Sequence, residues 1–102
     1  MSKINGIYAA SVSILDENLK LDIHKTIRHA ENLIKSGCHG VVIFGSTGQS
    51  QLISLEEKFE LIQNISKSIF KDKFIIGTGL NSLQDTISLI KISNSYNFNN
   101  FL

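Results

Sequence analysis

The chain has 102 residues, 42% of them hydrophobic and 19% charged, and a formal net charge of +1. This composition suits one soluble α/β unit and excludes a disordered, collagen-like or disulfide-built chain. No lysine/arginine stripe stands out, and phosphate-backbone binding needs a concentrated basic face, so nucleic acid is not an expected partner.

The single cysteine, Cys38, cannot form an internal disulfide, and a reducing cytoplasm is the expected location. The opening residues Met1 to Ile7 have neither the long apolar core nor the small-residue cleavage site of a signal peptide. No apolar run approaches the roughly 20 residues needed to span a bilayer, so no membrane partner is expected. Proline is absent, and isoleucine, asparagine, lysine and serine are heavily used. That bias reads as coding preference rather than chemistry.

In chain order, Gly6 to Ile14 is apolar and small and reads as a first strand. Asp22 is a good N-cap, and Ile23, Ile27, Ala30, Leu33 and Ile34 recur behind it at helical spacing. Glu31 and Lys35 are set for an i,i+4 pair on the outer face, and Gly37 suits the C′ position that ends the helix. Gly40 to Phe44 is a continuous β-branched apolar run, the pattern of a strand buried on both faces in a parallel sheet.

Ser54 and Glu57 then form a capping box, followed by a helical stripe of Phe59, Ile62, Ile65 and Ile69. Lys67 and Lys71 fall near that helix's expected C-terminus, where the macrodipole favours cations. Phe74 to Gly77 reads as a third buried strand. Ser82 and Asp85 repeat the capping pattern before Ile87 and Ile90, and Asn99 to Leu102 reads as the start of a fourth strand.

Strand starts spaced by roughly thirty residues fit βαβ units. Such units build either a doubly wound open sheet or a closed barrel. Three units and a nascent strand close neither, since a barrel takes eight strands and about 250 residues. Both architectures stay open from the residues alone: an α/β chain, with residues 1–102 as one partial domain and no second domain.

In both architectures ligands bind beyond the C-terminal ends of the strands. The three loops there are Leu15 to Leu21, Gly45 to Ile53, and Thr78 to Asn81. The second places the hydroxyls of Ser46 and Thr47 between Gly45 and Gly48, directly after a buried strand. Glycines allow close backbone approach, and hydroxyls with backbone N–H groups can hold a carboxylate without a formal positive charge. The competing reading is that both hydroxyls merely satisfy loop backbone.

Nucleotide motifs fail. Gly45 to Ile53 contains no lysine for a phosphate-binding loop, and Ser82 stands where Gly77-Thr78-Gly79 would need a third glycine. His24 and His29 are expected on the outer face of the first helix. Cys38 and His39 precede the second strand, at the wrong end for chemistry, and read as local packing. Tyr8 reads as core, and Asp16 with Glu17 as a solvated loop pair. Glu56 and Glu57 are accounted for by the N-cap and the helix dipole. No cofactor and no metal site is expected.

Gly45-Ser46-Thr47-Gly48, at the end of the run Gly40 to Gly48, resembles the Gly-Thr/Ser-Thr-Gly-Glu signature of the dihydrodipicolinate synthase and N-acetylneuraminate lyase family. Leu55-Glu56-Glu57-Lys58 follows at the family's usual distance. Ile76 to Ser82 is similar to its third-strand segment, and Gly6 to Glu17 to its first strand and loop. The resemblance covers essentially the whole chain and implies the N-terminal part of a (β/α)8 barrel, about three βα units plus the start of a fourth strand.

It implies a pyruvate-dependent class I aldolase or lyase, in which a lysine on a later strand forms an imine with a 2-oxo acid and a tyrosine shuttles protons. Neither segment matches anything here, and Lys91 does not correspond to the imine lysine. By resemblance, Thr47 binds the pyruvate carboxylate with backbone help from Gly48. Ser46 contributes to that site and to the proton relay. Family likeness also implies a homotetramer at full length.

Gln49 replaces the family's usual glutamate, and Ser13-Ile14 its common threonine-proline. The expected activity is 4-hydroxy-tetrahydrodipicolinate synthase-like, with N-acetylneuraminate or 2-keto-3-deoxy sugar acid cleavage as alternatives. The 102 residues alone are expected to be inactive. A doubly wound binding or signalling module is the reading from another class, although Gly77-Thr78-Gly79 offers no acidic phosphoacceptor. A self-associating half-barrel is a third.

Overall fold

Three short parallel strands alternate with three helices in the computed structural model, which describes residues 7–45, 53–78 and 83–101. The order along the chain is β1 (Tyr8–Ala10), α1 (Ile23–Lys35), β2 (Gly40–Ile43), α2 (Leu55–Ile65), β3 (Phe74–Ile76) and α3 (Leu83–Ser95). One 3-10 turn, Lys71–Lys73, leads into β3. The sheet order is β1-β2-β3, with Ala9 opposite Val41 and Val42 opposite Ile75. Sequential strands lie side by side and parallel, and Phe101 continues the order beyond β3, which fits the barrel-type winding in which each helix carries the chain back to start the next strand.

The central strand explains the apolar run. Val41 and Ile43 are buried, as are Phe74, Ile75 and Ile76 of β3. Behind them pack Ala30 and Ile34 of α1, Leu61, Ile62 and Ile65 of α2, and Leu89 of α3. Asp22 caps α1 by accepting from the Lys25 N–H at 3.0 Å. A Schellman motif ends it: Gly37 N–H donates to Ile34 O and Cys38 N–H to Leu33 O, with Gly37 at φ 120°.

Several sequence expectations change. The first strand is three residues long, because Ser11 to Ile14 leave the ladder after Ser11 N–H reaches Val42 O. Beyond it Ile14 turns to Thr26, whose Oγ1 accepts from the Ile14 N–H at 3.0 Å. Tyr8 is 36% exposed on the edge strand rather than core. Glu31 accepts a hydrogen bond from the Ser68 hydroxyl instead of pairing with Lys35.

The second helix ends at Ile65, so Ile69 falls in the turn beyond it and is 90% exposed. Lys71 lies in the 3-10 turn, with Nζ 5.4 Å from the Phe98 ring centroid. In α3 the buried face is Leu89 and Ser93, while Ile87 is exposed. The fourth strand begins as expected: Phe101 bridges Ile76 in parallel, and Ile76 N–H donates to Asn100 O at 3.0 Å.

Candidate functional site

Parallel strands all end on one side of the sheet, so the loops after β1, β2 and β3 share that edge. The first loop is built by Asp16, whose Oδ1 accepts from the N–H groups of Asn18 and Lys20. Leu15 and Leu21 bridge across it, antiparallel. Asp16 is therefore a turn-forming carboxylate, engaged with backbone.

Glu57 fastens that loop to the second helix. Its Oε1 accepts from the Ser54 N–H and hydroxyl, closing the capping box. Its Oε2 accepts from the Leu21 N–H at 2.6 Å. The Leu21 hydrogen bond, ahead of those from Ser54, holds the Glu57 carboxyl below its ordinary range, against opposing desolvation. Capping and dipole alone do not account for this residue; it also joins two βα units.

The second strand finishes in a sharp turn. Phe44 is buried and left-handed, at φ 59°, a conformation that is uncommon for a bulky residue. Gly77 lies directly against it: the Gly77 N–H donates to Ile43 O at 2.8 Å, and a Cβ at Gly77 would stand 2.5 Å from the Phe44 carbonyl oxygen. Thr86 Oγ1 of α3 donates to Thr78 O at 3.2 Å, tying the exit of β3 to the third helix. The chain then enters the hydroxyl segment through Gly45 and leaves it at buried Ile53. Ser46, Thr47, Gly48 and Gln49 themselves lie outside the described residues.

One residue of this region escaped the sequence reading. Lys58, in the first turns of α2, is 1% exposed. Its Nζ sits 5.5 Å from the Phe44 ring centroid. Burial pushes the ammonium below its ordinary range, and the charge of Asp85 on α3 opposes the shift. The signal was present. Lys58 precedes Leu61, Ile62 and Ile65 by three, four and seven positions, so it lies on the buried stripe.

The remaining candidates are structural or exposed. His39 Nδ1 accepts from the Ile7 N–H at 2.8 Å, securing the entry to β1 at the far end of the sheet. His24 is exposed and His29 half-buried on α1. Among the described residues, no group of three His, Cys, Asp or Glu side chains is placed to hold a metal ion. Also among them, no helix is long and apolar enough to cross a membrane.

A winding of parallel βα units with its loops gathered at the strand ends defines a segment of a (β/α)8 barrel, and comparison with known proteins agrees. Residues 3–102 match the Dihydrodipicolinate synthetase family, and the chain belongs to that family. A 4-hydroxy-tetrahydrodipicolinate synthase of Desulforudis audaxviator is 34% identical over 84 residues, 81% of this chain and 29% of that protein. A 2-keto-3-deoxygluconate aldolase variant of Sulfolobus solfataricus, solved with pyruvate, superposes with a TM-score of 0.77 at 29% identity. It is matched over 93% of this chain and 32% of its own. The dihydrodipicolinate synthase of Agrobacterium tumefaciens shares the fold, with a TM-score of 0.84 at 21% identity over 96% of this chain and 35% of its own. The chain thus spans less than a third of the length of the curated relative named here.

Proposed function

We propose that these residues are the N-terminal part of a lyase that acts on pyruvate or a related 2-oxo acid through a lysine imine. The observation that carries this reading is the Gly45-Ser46-Thr47-Gly48 segment. It leaves the C-terminal end of a buried parallel strand in a chain that belongs to the dihydrodipicolinate synthetase family. The pyruvate bound in the related Sulfolobus structure supports the substrate class.

In this reading Thr47 holds the carboxylate, with help from the Gly48 backbone, and Ser46 serves the proton relay. The chemistry asks for such a cradle. A protonated imine turns the 2-oxo carbon electrophilic and its neighbour acidic, and the carboxylate must be anchored beside it. A hydroxyl and N–H cradle anchors without adding a competing cation. The imine lysine and the relay tyrosine belong to later strands of the full barrel.

4-Hydroxy-tetrahydrodipicolinate synthesis is the preferred activity, since the Desulforudis relative carries that name. Sugar-acid aldolase chemistry is the second reading, favoured by the Sulfolobus structure. A homotetramer in the cytoplasm is the corresponding cellular form.

Borohydride reduction in the presence of labelled pyruvate tests the mechanism. The barrel completed by its later strands becomes covalently labelled, and the 102-residue chain stays unlabelled. Labelling of the 102-residue chain would place the imine on a lysine present here and overturn this account.

A further inference from the structure

A buried cation that the proposed chemistry does not use lies over the turn after β2, and the end of β3 packs on that same turn. Lys58 sits 1% exposed beneath the strand ends, with Nζ 5.5 Å from the Phe44 ring centroid. Phe44 is itself buried, and its left-handed backbone sets the direction in which Gly45 departs. Gly77 packs on the Phe44 carbonyl, so the same turn also fixes the end of β3. Asp85, in the first turn of α3, supplies the opposing charge that acts on Lys58.

We propose that Lys58 is a positioning residue, whose buried ammonium over the Phe44 ring fixes the turn that launches the Gly45–Gln49 hydroxyl segment. Its consequence for substrate rests on reading that segment as the carboxylate cradle.

Space filling alone does not explain this side chain. A leucine or methionine at this position would complete the stripe formed by Leu61, Ile62 and Ile65 without removing a charge from water. An ammonium here is retained at a desolvation cost, and it gains a directional contact with the ring face and attraction to Asp85. The ring contact lies at the strand end that carries the loop. The turn after β2 supplies the ring, so α2 is fastened to that turn, and the charge of Asp85 on α3 favours the ammonium there.

The experiment is a high-pH titration of the isotopically labelled barrel completed by its later strands, read by carbon-detected NMR so that amide exchange does not erase the signals. The Lys58 Cε resonance reports its own proton. The Cα resonances of Phe44, Gly45 and Gly77 should move with the same midpoint, and Asp85→Asn should lower all four together. Separate midpoints overturn the proposal without touching the function reading.

The second arm adds pyruvate to the barrel completed by its later strands and follows Ser46, Thr47 and Gly48. Lys58→Met should weaken pyruvate binding by about tenfold or more, the scale on which small misplacements act. Lys58→Arg should recover most of the loss by restoring the cation. A folded Lys58→Met protein that binds pyruvate like the wild type overturns the positioning role. If the wild-type completed barrel shows no pyruvate response, the carboxylate reading fails, and the shared-midpoint titration still decides the role of Lys58.

Discussion

The backbone N–H of Leu21 donates to Oε2 of Glu57 across 2.6 Å, joining residues 36 positions apart. Leu21 ends the loop after β1, and Glu57 lies in the first turn of α2. With its other oxygen on Ser54, this one carboxylate caps a helix and fastens the neighbouring loop to it. Glu57→Gln should therefore cost about 1.5–3 kcal/mol, the range for hydrogen bonds to a charged group. Urea unfolding at neutral pH checks this.

The same residue sets an acid limb. Its folded pKa lies below the ordinary 4.5, with the Leu21 hydrogen bond as the first cause. A lowered carboxyl contributes stability in full above the unfolded value and loses it as pH falls through the folded one. Stability of the wild type should drop on acidification below about pH 4.5. Glu57→Gln should show a shallower decline over that window. Equal slopes for the two proteins would remove Glu57 from the acid response.

Thr26 is a second clasp between loop and helix. It is buried, accepts from the Ile14 N–H and donates to Ile14 O at 3.4 Å. Thr26→Val keeps the shape but strips both partners from Ile14. The expected loss is about 1–3 kcal/mol, the cost of an unsatisfied part-buried group. Hydrogen exchange at Ile14 should accelerate in parallel.

Gly77 and Gly45 should respond differently to alanine. A Cβ at Gly77 meets the Phe44 carbonyl oxygen at 2.5 Å and its carbon at 2.7 Å, both backbone. At Gly45 the nearest atom is a Val42 side-chain carbon at 3.5 Å, an ordinary contact. Gly77→Ala should destabilise by about 1–3 kcal/mol, as overpacking does. Gly45→Ala should change stability far less, and thermal melts of the pair make the comparison.

In the completed barrel, Thr47→Val should raise KM for pyruvate by about tenfold or more, since an anchoring hydroxyl disappears. Ser46→Ala should act mainly on kcat, because a relay group works in the transition state. Steady-state kinetics separate the two. A reversed pattern would exchange the roles proposed for these neighbours.

Much of the architecture was readable along the chain because its signals are local. The Asp22 cap, the Ser54–Glu57 capping box and the Gly37 terminator each act within a few residues. The apolar runs at Gly40 and Phe74 announced buried parallel strands. The candidate site was legible as a signature, Gly45 to Gly48, and as the edge where three loops had to gather. The periodic stripes were less secure where helices ended early: Ile69 lies past the last turn of α2, and the face of α3 is turned toward Leu89 and Ser93.

The sequence by itself determined the alternation of strands and helices, their caps and the family signature, all of which depend on neighbours within one or two turns. Tertiary structure alone decided that Glu57 reaches Leu21, that Thr26 closes on Ile14, and that Lys58 lies buried over Phe44. Those contacts join different βα units. A side chain's spacing within its own helix states which face it occupies, but what stands opposite is set only when the strands pair and the helices pack across them.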